Sequence, residues 1–348
     1  MSAQPQTKTR FIEASVSAEQ TSLKDAIRLA FLGVAGDLEN IEKRIGEVFG
    51  SDARQLSEIS QYLLALGGKR VRPLLALLSA KLCGMKAPSS QLIDTAAGIE
   101  LIHMATLLHD DIIDESVTRR HQTSAYIKYG LPATLLTGDF LLVRAFGLCA
   151  KLDPFIIENT ERACIELTEG EILEGKISDR PVSLDDYVTI VGKKTASLFA
   201  LAAASGAHCA GADDSTVERL RSFGWHAGVA FQMVDDILDI TADEDLLGKP
   251  SGADLRQKTP SLINVLWLAS GDTKAKAFFT TALPTTEMAT RAVQYLKTSA
   301  VVDQARTLAT DYATKANLAL TSVQGSDFDD SVRSHLLALV EYTLSRCL

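Results

Sequence analysis

Cysteine is sparse in this chain, and what there is makes no pattern. Five cysteines among 348 residues (Cys83, Cys149, Cys164, Cys209, Cys347) are odd in number and form no CxxC pair. That argues against a disulfide framework or a thiolate zinc site and fits reduced, buried thiols in a cytoplasmic protein. Positive charge is also in deficit: 35 Lys and Arg stand against 44 Asp and Glu, for a net charge of -9. No nucleic-acid partner is expected from that balance, although a local basic patch could still hold phosphate. No run of about 18 uncharged apolar residues occurs, so no integral membrane segment is expected. Residues 1–20 are polar without an apolar centre, which reads as a flexible tail and not as a signal peptide. Strict alternation of Val, Ile, Thr and aromatic residues is hard to find, so no sheet is expected.

What is present is helical periodicity and a large apolar fraction, 46% of residues. Leu23, Ile27, Phe31 and Val34 recur at spacings of three and four, as do Leu38, Ile41 and Ile45. Ala and Leu, both strong helix formers, dominate. Breaks fall at Gly67-Gly68, Gly84 to Ser90, Gly130-Leu131-Pro132, Asp153-Pro154, Asp179-Arg180-Pro181, Gly206 to Asp214 and Gly248 to Thr259. The segments between them predict an all-α fold, a single-domain bundle of ten or more helices over residues 21–348. Ala96 to His109 and Leu198 to Ala207 are apolar on most faces and should be central or line a cavity.

Two acidic runs share one design: Asp110-Asp111-Ile112-Ile113-Asp114 and Asp235-Asp236-Ile237-Leu238-Asp239. In a helix the first and fifth residues of each lie one turn apart on one face, where like charges repel. Each run follows apolar residues, and paired carboxylates in apolar surroundings call for a cation. Two such pads across one cavity would grip Mg²⁺ and a polyanion, since Mg²⁺ accepts carboxylate, water and phosphate oxygens. A basic loop, Gly67-Gly68-Lys69-Arg70-Val71-Arg72-Pro73, opens a Pro-initiated helix and suits a diphosphate. Arg119-Arg120 follows the first acidic run. His103 lies two turns before Asp110, and His109 reads as structural. Lys194-Thr195 opens an apolar helix, Gln232 precedes the second acidic run by three residues, and Lys249 sits in a loop able to reach back over the site.

These motifs, with Gly138-Asp139, Gly170 to Leu173 and Leu247 to Asp254, resemble the trans-isoprenyl diphosphate synthases over nearly the whole chain from about Thr21, most closely the long-chain polyprenyl members. The resemblance implies helices around a deep central cavity and a homodimer. It implies Mg²⁺, about three ions per active site, with Asp110, Asp114 and Asp235 as ligands and Asp111, Asp236 and Asp239 in the same shells. Arg119, Lys194 and Lys249 would contact an allylic diphosphate: dimethylallyl, geranyl, farnesyl or geranylgeranyl. Lys69, Arg72, His103 and Arg120 would hold isopentenyl diphosphate. Thr195 and Gln232, with Lys194, would serve the reacting carbons. Two positions depart from the family: His121 and Lys258 stand where Gly is usual.

In short-product relatives a bulky aromatic four or five residues before the first Asp floors the cavity. Here those positions are Thr106 and Ala105, both small, which predicts products of about C30–C50. A floor from another helix, Leu142 or Phe146, stays open, as does a short-chain product of about C15–C25. Two rivals are weighed. A terpene cyclase lacks the GKRxRP clamp and a second DDxxD. A non-catalytic partner subunit would have lost site residues that are present here.

Overall fold

The computed structural model describes residues 18–175, 182–242, 251–324 and 328–347. Helices account for nearly all of it: α1 (Ala18–Leu32), α2 (Ala35–Glu47), α3 (Arg54–Ala65), α4 (Val71–Leu82), α5 (Ser90–Ile113), α6 (Ala125–Tyr129), α7 (Leu131–Cys149), α8 (Pro154–Glu174), α9 (Leu184–Val191), α10 (Ser197–Cys209) and α11 (Asp214–Thr241). Further helices follow at Ala253–Gln257, Leu262–Ala269, Thr273–Thr280, Thr286–Lys297, Ala300–Thr321 and Asp330–Ser345.

The two longest site-bearing helices start on side-chain caps. Ser89 accepts from the Leu92 N–H at 3.2 Å to begin α5, and Asp213 accepts from the Thr216 N–H at 2.7 Å to begin α11. α10 is buried all round from Ser197 to Ala207 and is clasped between α4 and α11. Glycine makes that clasp possible. A Cβ at Gly206 would lie 2.2 Å from the Ala76 carbonyl oxygen, and one at Gly224 would lie 2.5 Å from that of Phe199. Gly206 is therefore inside α10, where the sequence suggested a break. Close packing against α4, not a turn, explains the residue.

A two-stranded hairpin, Thr118–Arg119 paired antiparallel with Gln122–Thr123, is the one sheet among the described residues. Strands of two residues are too short to show alternation, so sequence periodicity missed them. The turn residues Arg120 and His121 have φ of 52° and 62°. Two consecutive left-handed residues are what a tight hairpin needs, a conformation that Gly adopts most readily and that His121 takes here.

α7 is long and apolar enough by composition to cross a membrane, but Asp139 and Arg144 interrupt it, in keeping with the lack of an uncharged apolar run in the sequence. It packs one face on α5 through Leu141, Ala145 and Leu148. The opposite side is exposed at Leu136, Val143 and Phe146.

Candidate active site

A cavity of about 1290 Å³ runs between α5, α8, α11 and the basic loop before α4. It brings together Lys69, Arg72, His103, Thr106, Asp110, Arg120, Lys194, Thr195, Gln232 and Asp235 from the sequence-predicted set. Ala105 is fully buried and is not on this wall, so of the two expected chain-length positions the structure places only Thr106 there. Lys249 lies outside the described residues.

Helix geometry splits the aspartates. Adjacent helical residues point about 100° apart, so Asp110 and Asp111 cannot share a direction. Asp110 faces the cavity, where burial pushes its carboxyl up to about 7, opposed by Lys194 and reinforced by Glu171 and Asp114. Asp114, one turn on, is also raised, first by burial. Asp111 turns away and accepts two hydrogen bonds of 2.9 Å from Arg119 Nε, with Arg119 Nη2 at 2.7 Å. Arg119 ends the first strand and Arg120 opens the turn with a left-handed backbone, so one holds Asp111 while the other enters the cavity.

The second pad divides likewise. Asp235 lines the cavity and pairs with Arg346 Nη1 at 3.1 Å. Asp236 is buried behind it. It accepts hydrogen bonds from Tyr187 Oη at 2.7 Å, the Leu262 N–H at 2.8 Å and Gln232 Nε2 at 2.9 Å. Burial pushes Asp236 up to about 6 in spite of these donors. Asp239 accepts from the Ala253 and Asp254 N–H groups at 3.3 and 3.2 Å, at the start of the helix Ala253–Gln257. Asp111, Asp236 and Asp239, expected from the sequence in the metal shells, thus each accept hydrogen bonds from scaffold groups.

Gln232 is fixed by its neighbour one turn on. With Nε2 committed to Asp236, its Oε1 accepts from Thr195 Oγ1 at 3.0 Å. Thr195 belongs to a π-helical turn, Gly192–Ala196, a local widening of the kind frequent at functional sites. Gly170 of α8 lies so close to that turn that a Cβ would be 2.7 Å from the Lys194 nitrogen. Lys194 Nζ is gripped by Glu171 Oε2 at 2.8 Å and Glu174 Oε2 at 2.5 Å. Burial works to lower its pKa, and Glu174, Asp110 and Glu171 outweigh it, so Lys194 stays charged. The sequence reading quoted Glu171 only as part of a motif and passed over Glu174. Their spacing of three on α8 was the available signal.

The cationic side is under-neutralised. Arg70 is spent on Glu42 (2.8 Å) and Glu100 (2.9 Å) and is structural. Arg72 stacks 5.0 Å over the Phe199 ring, its Nε has no hydrogen-bond partner, and burial pushes it down to about 10. Lys69 is lowered by burial and by Arg346, and Arg120 by burial and by Arg70. His103 is pushed well below the ordinary histidine range, by burial first and then by Arg72 and Arg120, so it is neutral. Desolvated cations that, among the described residues, form no ion pair of their own are an anion site.

Lys258 has φ of 57° and is buried. Its Nζ donates to the carbonyls of Phe279 (3.2 Å) and Thr281 (2.6 Å), closing the end of the helix Thr273–Thr280. The left-handed backbone is one that Gly adopts most readily, and the lysine that stands here is a brace away from the cavity. Lys258→Met should leave kcat and KM within twofold of the parent while lowering stability by about 1–3 kcal/mol in urea unfolding, from two carbonyls losing a charged donor.

A family model described as polyprenyl synthetase matches residues 53–299. The chain is 33% identical over 317 residues to the all-trans-nonaprenyl-diphosphate synthase (geranyl-diphosphate specific) of Rhodobacter capsulatus, covering 90% of this chain and 96% of that one. It is 34% identical over 323 residues to the geranylgeranyl diphosphate synthase of Sulfolobus acidocaldarius, covering 89% and 96%. A polyprenyl synthase from Caulobacter crescentus CB15, crystallised with calcium and isoprenyl diphosphate, superposes with a TM-score of 0.84 at 34% identity, covering 94% of this chain and 98% of that chain.

Proposed function

The chain belongs to the polyprenyl synthetase family and is a trans-prenyltransferase, and from that premise we propose that it elongates an allylic diphosphate with isopentenyl diphosphate to all-trans products of about C30–C50. The observation that carries this reading is the juxtaposition in one cavity of cavity-facing Asp110 and Asp235 with an uncompensated Lys69–Arg72–Arg120 cluster. One half suits metal-bound diphosphate, the other a diphosphate held by cations.

The donor set fits Mg²⁺. Asp110, Asp114 and Asp235 offer hard carboxylate oxygens. Among the described residues no three His, Cys, Asp or Glu side chains converge to hold an ion by themselves. The remaining ligands would then come from water and the diphosphate, as Mg²⁺ prefers. When bound, the metal supplies Lewis-acid stabilisation of the departing diphosphate. The calcium and isoprenyl diphosphate in the Caulobacter relative support the same assignment.

The chain's own groups do the rest. Lys194, charged and held by Glu171 and Glu174, faces the negative charge that develops as the allylic C–O bond breaks. Thr195 and the Gln232 carbonyl offer lone pairs to the carbocation without supplying a nucleophile. Arg72, Lys69, Arg120 and neutral His103 hold isopentenyl diphosphate in line, and Ile102, Leu107, Leu142 and Leu167 give walls that exclude water. No side chain stands out as the base for the last proton loss, which falls to the released diphosphate.

The long product rests on the absence of an aromatic at Thr106 and on a cavity beyond the usual ~300–1,000 Å³ of a small-molecule site. Incubation with isopentenyl diphosphate, farnesyl diphosphate and Mg²⁺, followed by chromatography, should give products of about C30–C50. Products stopping at about C15–C20 would refute the length, and no product at all would refute the activity.

The exposed stripe of Leu136, Val143 and Phe146 on α7 continues through Ile157, Ile165 and Ile172 on α8. A contiguous apolar face of this kind fits a second copy of the chain. Phe146 and Ile172 also line the cavity, so the same pairing would help close it. Sedimentation should show a dimer that Val143→Glu splits; a monomeric parent would contradict the homodimer.

A further inference from the structure

Arg346 entered no motif and lies 111 residues beyond Asp235, yet its Nη1 is 3.1 Å from that carboxylate. It is carried just past the helix Asp330–Ser345, which packs on α1, α4 and α11. Its backbone is anchored, because Arg306 Nε donates to the Cys347 carbonyl at 2.7 Å and Cys347 is buried. The guanidinium crosses the Phe231 ring at 5.9 Å and lines the cavity. It faces Asp235 and lines the same cavity as the Lys69 ammonium, whose pKa its charge helps to lower.

A metal-binding aspartate and an arginine cannot both keep this arrangement once a divalent ion arrives. The ion takes the Asp235 oxygen, and the freed guanidinium, fixed at its backbone, has the Lys69 side of the cavity within reach. A second cation moving toward Lys69 is unfavourable unless an anion sits between them. We propose that Arg346 is an exchangeable counter-ion: it holds Asp235 in place before the metal binds and then joins Lys69 on the diphosphate of isopentenyl diphosphate. This deepens the proposed function and rests on Asp235 being a metal ligand. The exchange couples metal loading at one end of the cavity to completion of the clamp at the other.

The test compares the full-length parent, Arg346→Gln and Arg346→Lys. Mn²⁺ binding, read by electron paramagnetic resonance on protein without substrate, should tighten in Arg346→Gln by roughly two- to fivefold, the worth of a half-exposed ion pair no longer broken. In steady-state assays the same variant should raise KM for isopentenyl diphosphate about tenfold, for one lost charge-assisted hydrogen bond, with KM for the allylic substrate unchanged. Arg346→Lys should recover most of both effects. Unchanged Mn²⁺ binding, or an unchanged KM for isopentenyl diphosphate, overturns the exchange, as does a variant altered only in thermal stability. A parent that shows no metal-dependent condensation would instead sink the functional reading.

Discussion

Asp110→Asn is expected to lower kcat/KM for the allylic substrate about 10³-fold, the scale of losing one preorganised stabiliser of a developing anion. Its half-saturation in Mg²⁺ should rise, and saturating Mg²⁺ should not restore the full rate. Asp236→Asn is expected to behave differently, although each residue belongs to the leading Asp-Asp pair of a nearly identical motif. Asp236 accepts from Tyr187, Leu262 and Gln232 and does not reach the cavity wall. An amide there must set its NH₂ against either the Leu262 N–H or the Gln232 NH₂, and the second arrangement lets Gln232 turn its own NH₂ toward Thr195. The carbonyl that should face the carbocation is then lost. We expect kcat to fall about 10- to 100-fold, on the scale of one misplaced catalytic group, with half-saturation in Mg²⁺ unchanged. A titration of rate against Mg²⁺ for both variants checks this. An Asp236→Asn enzyme demanding as much extra Mg²⁺ as Asp110→Asn would contradict the division of the pads.

Thr106→Phe is expected to shorten the product to about C15–C20. Thr106 lies on the cavity wall four residues before Asp110, about 6 Å along α5 at 1.5 Å per residue. A phenyl ring there leaves room for only one or two added units. Ala105→Phe inserts the same ring into a fully buried position instead. It should cost about 1–3 kcal/mol of stability by overpacking and change product length far less. Phe146→Ala should lengthen the product, since it removes a ring from the cavity lining. Reversed-phase chromatography of the products separates these outcomes. Equal shortening by both α5 variants would argue against the wall as placed here.

Much of this was legible in the chain itself. Helical periodicity and the want of alternation give the all-α bundle, and the DDxxD runs, the basic loop and Lys194-Thr195 give the cavity's polar groups. What sequence could not give is direction. Two adjacent aspartates look alike on paper, and only packing decides that Asp111 meets Arg119 and Asp236 meets Tyr187, 49 residues away. Arg70 lies in the basic loop between Lys69 and Arg72, and only the fold shows that Glu42 and Glu100 neutralise it. Arg346 gave no local signal, because its partner is in α11 and only the tertiary fold joins them. Lys258 and His121 looked like lapses from a glycine pattern, and both are left-handed residues for which the side chain found other contacts or open space.

The central claim is that the six aspartates divide, with Asp110, Asp114 and Asp235 for the metal and Asp111, Asp236 and Asp239 for the scaffold. Crystals grown with Mn²⁺ and a non-reactive allylic thiolodiphosphate, measured for anomalous scattering, test it most directly. Manganese peaks are expected in bonding contact with Asp110, Asp114 and Asp235, with Arg346 released from Asp235. Peaks bonded to Asp111 or Asp236 would contradict it.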